Sequence, residues 1–244
     1  MCSYRLAPFL KTYPTAKVAL SKNGFWKLIC QVEINQWSKI LVLIKSFHDR
    51  YPSNYFLALG TESFWSFINT ANWYYIVTRA GAFFRLYPNA VESTMGLDDF
   101  WKVMNVDNYD DVMIKKLKYL GEISPNIFQC AVFWKNTTDP QWATYQPRMA
   151  KMLIINTNFF NPLQESIWNK VKSCTEESLA RAFKRLHDLR DITNGVCKDS
   201  DELWEMLMDC DISTWKCVLK RFKLCSKKDQ RTSEIWISMK TEFL

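Results

Sequence analysis

Six glycines punctuate 244 residues, and that scarcity restricts the chain before any motif is sought. Loops that cradle phosphate need backbone N–H groups presented by glycine-rich turns, and neither a GxGxxG nor a GxxxxGK[ST] pattern occurs. A nucleophile elbow of the GxSxG type is absent, as is an HExxH metal helix. His48 and His187 are the only histidines, and neither lies close to paired cysteines, so neither a zinc site nor imidazole acid–base chemistry is expected. Asp110-Asp111 are adjacent acids of the kind found at a solvated helix start. No catalytic residue, metal or cofactor is expected.

Hydrophobic residues make up 48% and charged residues 23%, enough apolar surface to bury a sizeable core. The apolar run Ile40–Ile44 lies between Lys39 and Lys45 and is far too short for the roughly 20 residues of a membrane span. Residues 1–10 make a poor secretory signal, which points to the cytosol or nucleus. Cys2, Cys30, Cys130, Cys174, Cys197, Cys210, Cys217 and Cys225 form no CxxC pair and are expected to be free thiols.

Periodicity points to mixed elements. Trp26, Leu28, Cys30, Val32 and Ile34 alternate as on one face of a strand. Trp37, Ile40, Leu41, Ile44, Phe47, His48 and Tyr51 then follow a helical spacing up to Pro52. Residues 73–78 and 82–87 are aromatic and β-branched runs around Arg79-Ala80-Gly81, a hairpin signal. Phe100, Trp101 and Met104 suit a short helix opened by Asp98 and Asp99. A helical stripe from Tyr109 to Leu120 is closed by Gly121, residues 152–155 read as a buried strand, and Asn161-Pro162 opens a further helix. Thr175 and Ser213 are expected to cap helices, Leu203–Cys210 fits either period, and residues 235–237 suit a closing strand. No internal repeat is evident. The expected class is α+β: a single curved antiparallel sheet backed by helices, with residues 1–67 (strand plus helix) as a structured N-terminal extension of a domain spanning 68–244.

Net charge is +7 and unevenly spread. Residues 1–50 hold eight Lys/Arg against Glu33 and Asp49, and Lys216–Arg231 hold seven against Asp229. Between them, Asp199–Asp211 carry six acids and no base. Two basic clusters suit a polyanionic partner. The aromatic content is high, with eleven Trp, ten Tyr and sixteen Phe. Most such side chains are core filler, and some can stack on bases.

The order of Trp73-Tyr-Tyr-Ile, Leu97-Asp-Asp-Phe-Trp101, Phe133-Trp134-Lys135, Met152-Leu-Ile-Ile, Ile167-Trp168, Asp209-Cys210, the Ser213–Cys225 helix and Ile235-Trp236-Ile237 resembles that of the translation initiation factor 4E family, which binds the mRNA cap. The resemblance covers about residues 68–240. It implies a cationic 7-methylguanine held between two aromatic faces by stacking and cation–π attraction. Mapped onto this chain, those faces are Trp134 and Phe84 or Phe83. Lys135 stands where the family has its base-reading Glu, with Asp139 as a substitute carboxylate, and Lys198, Lys220 and Arg221 are phosphate candidates. The family's second surface, which holds an amphipathic helix of an initiation scaffold or repressor, maps to Leu97, Trp101, Asn169 and Lys170. The implied partners are thus capped mRNA and a scaffold helix. Two alternatives from the residues themselves are a nucleoprotein-like RNA binder that ignores the cap, and a module that binds only protein.

Overall fold

The computed structural model describes residues 3–106, 114–155, 165–193 and 206–226. Every regular element among them is helical, which overturns the expected antiparallel sheet and the α+β class. The chain forms two compact units, residues 1–139 and 140–244. Position 67, the expected edge of an N-terminal extension, is the end of a helix inside the first unit.

The first unit contains α1 (Ser3–Thr12), α2 (Asn23–Gln31), α3 (Ile34–Arg50), α4 (Tyr55–Leu59), α5 (Glu62–Phe67), α6 (Trp73–Leu86), α7 (Val91–Met95), α8 (Asp98–Met104), α9 (Ile114–Ile123) and α10 (Ala131–Thr137). Three of its turns after a long helix begin with a proline 3-10 segment: Pro14–Ser21, Pro88–Ala90 and Pro125–Gln129. The second unit contains α11 (Trp142–Ile155), α12 (Glu165–Ser173), α13 (Glu176–Thr193) and α14 (Ile212–Ser226).

Each expected strand that falls within the described residues is helix instead. In residues 25–34 the alternating set is not the buried one: Phe25 and Ile29, four apart, are fully buried, while Trp26 and Ile34 are exposed. A spacing of four is the helix period. Residues 73–86 form α6 rather than the first strand and most of the second of a hairpin, burying Trp73, Ile76, Ala80, Phe83 and Phe84 on one stripe. Gly81 is not a turn residue there. The Arg50 guanidinium lies where a Cβ would stand, so the glycine marks a close approach. Residues 152–155 are the last turn of α11. Residues 235–237 lie outside the described residues, as do Asp110-Asp111 and the Asn161-Pro162 start.

Smaller corrections concern helix ends. Gly121 does not close α9, which runs on to Ile123. Thr175 does cap α13, its Oγ1 accepting from the Ser178 N–H at 3.1 Å. Asp211 rather than Ser213 caps α14, accepting from the N–H of Ser213 at 2.8 Å and of Thr214 at 2.9 Å. Hydrogen bonds from the Ser213 and Thr214 hydroxyls, and then from the Thr214 N–H, hold the carboxyl pKa well below the usual range. Cys130, Cys174, Cys210 and Cys217 are free, but Cys30 is disulfide-bonded, so the all-thiol expectation fails at that position.

The main finding is an internal repeat. Phe-Trp dipeptides end at Trp26, Trp65, Trp101 and Trp134, intervals of 39, 36 and 33 residues. Pro14, Pro52, Pro88 and Pro125 recur at 38, 36 and 37. On the long helices Phe9, Phe47 and Phe83 correspond, as do Tyr13, Tyr51 and Tyr87, four residues later in each case. A recurring period of this length is the mark of a helical-repeat array, whose units bury their apolar faces only against their neighbours. Each unit here consists of a long helix, a short proline-started turn and a Phe-Trp helix. In the sequence the spacing continues through Trp168, Trp204 and Trp236.

Four bonds fasten the short turn to the Phe-Trp helix in the same way. The indole Nε1–H of Trp26, Trp65, Trp101 and Trp134 donates to the carbonyl six residues earlier, on Leu20, Leu59, Met95 and Phe128, at 2.7–2.9 Å. Burying an indole requires a partner for that N–H, and the turn supplies it. Arginine guanidinia fix the far ends. Arg5 donates to the carbonyls of Ile29 and Val32, and Arg79 to those of Met104 and Val106. In the second unit Arg148 donates to Val171 and Cys174, and Arg185 to Leu207 and Cys210. In all four the first carbonyl is three residues past the repeat tryptophan. These groups are the orphan acceptors every helix C-terminus leaves.

Candidate functional site

The residues expected to hold a cap lie in this repeating core. Phe83 and Trp134 do meet, with ring centroids 5.3 Å apart and planes at 80°. That is an edge contact, with no gap for a purine between parallel faces. Trp134 is fully buried, and Phe83 and Phe84 nearly so. The pair also has counterparts. Phe9 meets Trp65 at 6.4 Å, and Phe47 meets Trp101 at 5.9 Å. In each repeat the long-helix phenylalanine touches its own Phe-Trp helix (Phe9–Phe25, Phe47–Phe64, Phe83–Phe100) and the tryptophan of the next. The contact is inter-repeat packing.

The other expected residues are scattered. Lys135 is an exposed residue of α10, and the Asp139 N–H bonds the Asn136 carbonyl at 3.0 Å. Lys220 and Arg221 are exposed on α14 of the second unit, and Lys198 lies outside the described residues. For the partner-helix surface, Leu97 is half-buried and Trp101 is fully buried in the first unit. Asn169 and Lys170 are on α12 of the second unit. Among the described residues no group of three or more His, Cys, Asp or Glu lies close enough together to hold a metal ion. No described helix is long and apolar enough to cross a membrane.

A different surface carries the unexplained features. Within the first unit the Phe-Trp helices α2, α5, α8 and α10 pack in succession, and the short segments 14–21, α4, α7 and 125–129 form a second succession beside them. The long helices α1, α3 and α6 do not close against one another in the same way. Between α1 and α3 is a groove of about 420 Å³, floored by Phe9 and Trp37 and edged by Tyr4, Ile34, Val42 and Lys45. Between α3 and α6 is one of about 240 Å³, floored by Phe47 and Trp73 and edged by Arg50, Tyr74, Val77 and Thr78. Phe9 corresponds to Phe47, Trp37 to Trp73, Ser38 to Tyr74 and Leu41 to Val77, each one repeat on. The two grooves are one feature presented twice.

Exposed apolar side chains stand at both rims: Tyr4 is 51% exposed, Ile34 52% and Val42 67% at the first, and Tyr74 73% at the second. Beside the first groove, Lys45 pairs with Asp49 at 2.6 Å, which raises the lysine pKa and lowers that of the carboxyl. Arg50 is exposed, with its guanidinium 5.6 Å from the Tyr51 ring. Sequence reasoning missed these grooves. The available signal was the recurrence of Trp-x-x-Ile at 37–40 and 73–76, which shows only once the repeat is aligned.

Fold and surface together define an α-helical repeat protein with a groove between successive long helices. No family model matches the chain, and no match was found among characterised proteins or solved structures.

Proposed function

We propose that this chain is a non-catalytic binding module whose ligand is a polypeptide laid across α1, α3 and α6. The observation carrying this reading is the duplicated groove. Apolar side chains at the rim of one depression are ordinary, but the same aromatic floor repeated in register along a face suits a ligand that itself runs along the face. A helical-repeat protein reads an extended partner in this way, one pocket per unit.

The basic character of these helices favours a second reading, RNA held by its phosphates, with exposed Tyr74 and Tyr75 available for stacking. Against it, Arg5 and Arg79 are committed to helix-end carbonyls and Lys45 to Asp49. Cap recognition through Trp134 and Phe83 is not part of the proposal, because it required a slot between two faces that here pack edge to plane.

The test is affinity capture on the full chain beside a Val42→Glu/Tyr74→Glu variant, with ribonuclease treatment as a parallel arm. These are surface positions, so the variant keeps its fold. A polypeptide retained by the parent, lost on the variant and indifferent to ribonuclease supports the reading. Material that ribonuclease removes, or that the variant keeps undiminished, contradicts it.

A further inference from the structure

We infer that the occupant of the α1/α3 and α3/α6 grooves is an acidic peptide segment in extended form, carrying two bulky apolar side chains about three or more residues apart. The inference rests on the reading of this face as a polypeptide site and adds the chemistry of the ligand.

Charge supplies the first argument. With Arg5 and Arg79 committed to helix-end carbonyls and Lys45 paired to Asp49, helices α1, α3 and α6 still carry Lys11, Lys39, Arg50 and Arg85 and no further acid. Of the other acids, Glu62 and Asp98 point at the N-termini of neighbouring Phe-Trp helices, Asp99 pairs with Lys102 at 2.9 Å, Glu92 is on α7, and exposed Glu33 stands just before α3 without lining the groove. Neither groove is lined by a carboxylate, while Lys45 lines one and Arg50 the other. A basic field over an apolar floor steers and orients acidic partners and repels basic ones.

Spacing supplies the second. Successive Phe-Trp helices pack directly, and packed helices lie roughly 10 Å apart; the long helices, one repeat apart but not closed on each other, set a groove interval of that size or wider. An extended chain advances about 3.3 Å per residue, so side chains about three or more residues apart reach successive grooves. The grooves are large enough for ring-sized or leucine-sized side chains, with floors made by Phe9 and Trp37 in one and Phe47 and Trp73 in the other. The apolar lining favours a peptide over nucleic acid, whose phosphates gain nothing from such floors. Arg50, lying across Gly81 at the rim of the second groove, is placed to meet a carboxylate beside the second apolar side chain.

The experiment is selection of short random peptides displayed against the full chain, followed by anisotropy titration of the enriched peptides. An oligouridine is titrated in parallel. The expected result is enrichment of peptides richer in Asp and Glu than in Lys and Arg, with two apolar residues at the stated interval. Their affinity should fall at least about tenfold on Val42→Glu or Tyr74→Glu, and several-fold on Arg50→Glu or in high salt. Neutral or basic peptides lost on Val42→Glu would overturn the acidic ligand while leaving the polypeptide site standing. Enriched peptides indifferent to all three substitutions would overturn this placement. Salt-dependent oligouridine binding without peptide enrichment, or no enrichment at all, would overturn both.

Discussion

Asp98 accepts a hydrogen bond at 2.6 Å from the backbone N–H of Ser63, 35 residues earlier. Glu62 does the same for Gly24 at 2.5 Å, 38 residues earlier. In both cases the acid stands three residues before a repeat tryptophan, and its donor stands two residues before the preceding one. Each carboxylate thus satisfies an orphan N–H at the start of the neighbouring helix and complements that helix's dipole. This is a polar counterpart of the Phe–Trp contacts and explains why an acid recurs at that position.

Removing that bond should cost more than removing the acid next to it. Asp98→Ala leaves the Ser63 donor buried without its charged acceptor and should destabilise by about 1–2 kcal/mol. Asp99→Ala, which loses a surface pair with Lys102, should cost no more than about 0.5 kcal/mol. Urea unfolding of the two variants under the same conditions checks the difference.

The indole bonds give a graded series. Trp65 is 1% exposed, so Trp65→Phe strands the Leu59 carbonyl, opens a void and should cost about 2–4 kcal/mol. Trp26, 36% exposed at the start of the array, makes the same bond where water can replace it. Trp26→Phe should therefore be the milder substitution in thermal denaturation.

Two glycines should respond oppositely. At Gly81 the obstacle to a Cβ is the flexible end of Arg50, so Gly81→Ala should be neutral or gain up to about 1 kcal/mol of helix propensity. At Gly121 a Cβ would stand 2.6 Å from Tyr87 Cζ and 2.8 Å from Phe128 Cε2. Those rings are packed together, with centroids 4.5 Å apart, so Gly121→Ala should lower the melting temperature.

Alkaline conditions should weaken the fold. Burial pushes the Cys130 thiol from 9.0 up to about 12 and raises Tyr13, Tyr51 and Tyr87 as well. A folded pKa above the unfolded one gives stability that is complete below the unfolded value and lost as pH climbs toward the folded one. For Cys130 that window runs from about 9 to about 12. Denaturation midpoints should fall across it, and Cys130→Ala should flatten the fall. Mass-spectrometric alkylation should find exposed Cys217 modified in the folded chain and Cys130 only after unfolding.

The individual helix at 37–51 and the Asp98 helix were legible because their buried residues keep the 3.6-residue period without interruption. The residues 25–34 and 73–87 were not. Aromatic and β-branched side chains dominate both segments, and their local preference for strands is overridden by burial against the neighbouring repeat. The repeat itself was hidden by its intervals of 39, 36 and 33 residues, and by the few positions that packing holds constant. Phe100-Trp101 and Phe133-Trp134 were visible as motifs, but their equivalence to Phe25-Trp26 and Phe64-Trp65 shows only in three dimensions, where all four indoles make the same bond. The family resemblance implied a binding slot at Trp134, and the sequence does not disclose whether two such rings face or edge each other.

The most direct test of the helical repeat is backbone amide NMR on the full chain with Glu62→Gln and Asp98→Asn. The account predicts helical shifts through residues 73–86, an upfield move of the Gly24 amide proton in the first variant and of Ser63 in the second. Extended-type shifts over residues 73–86, or Gly24 and Ser63 amides that ignore both substitutions, would contradict it.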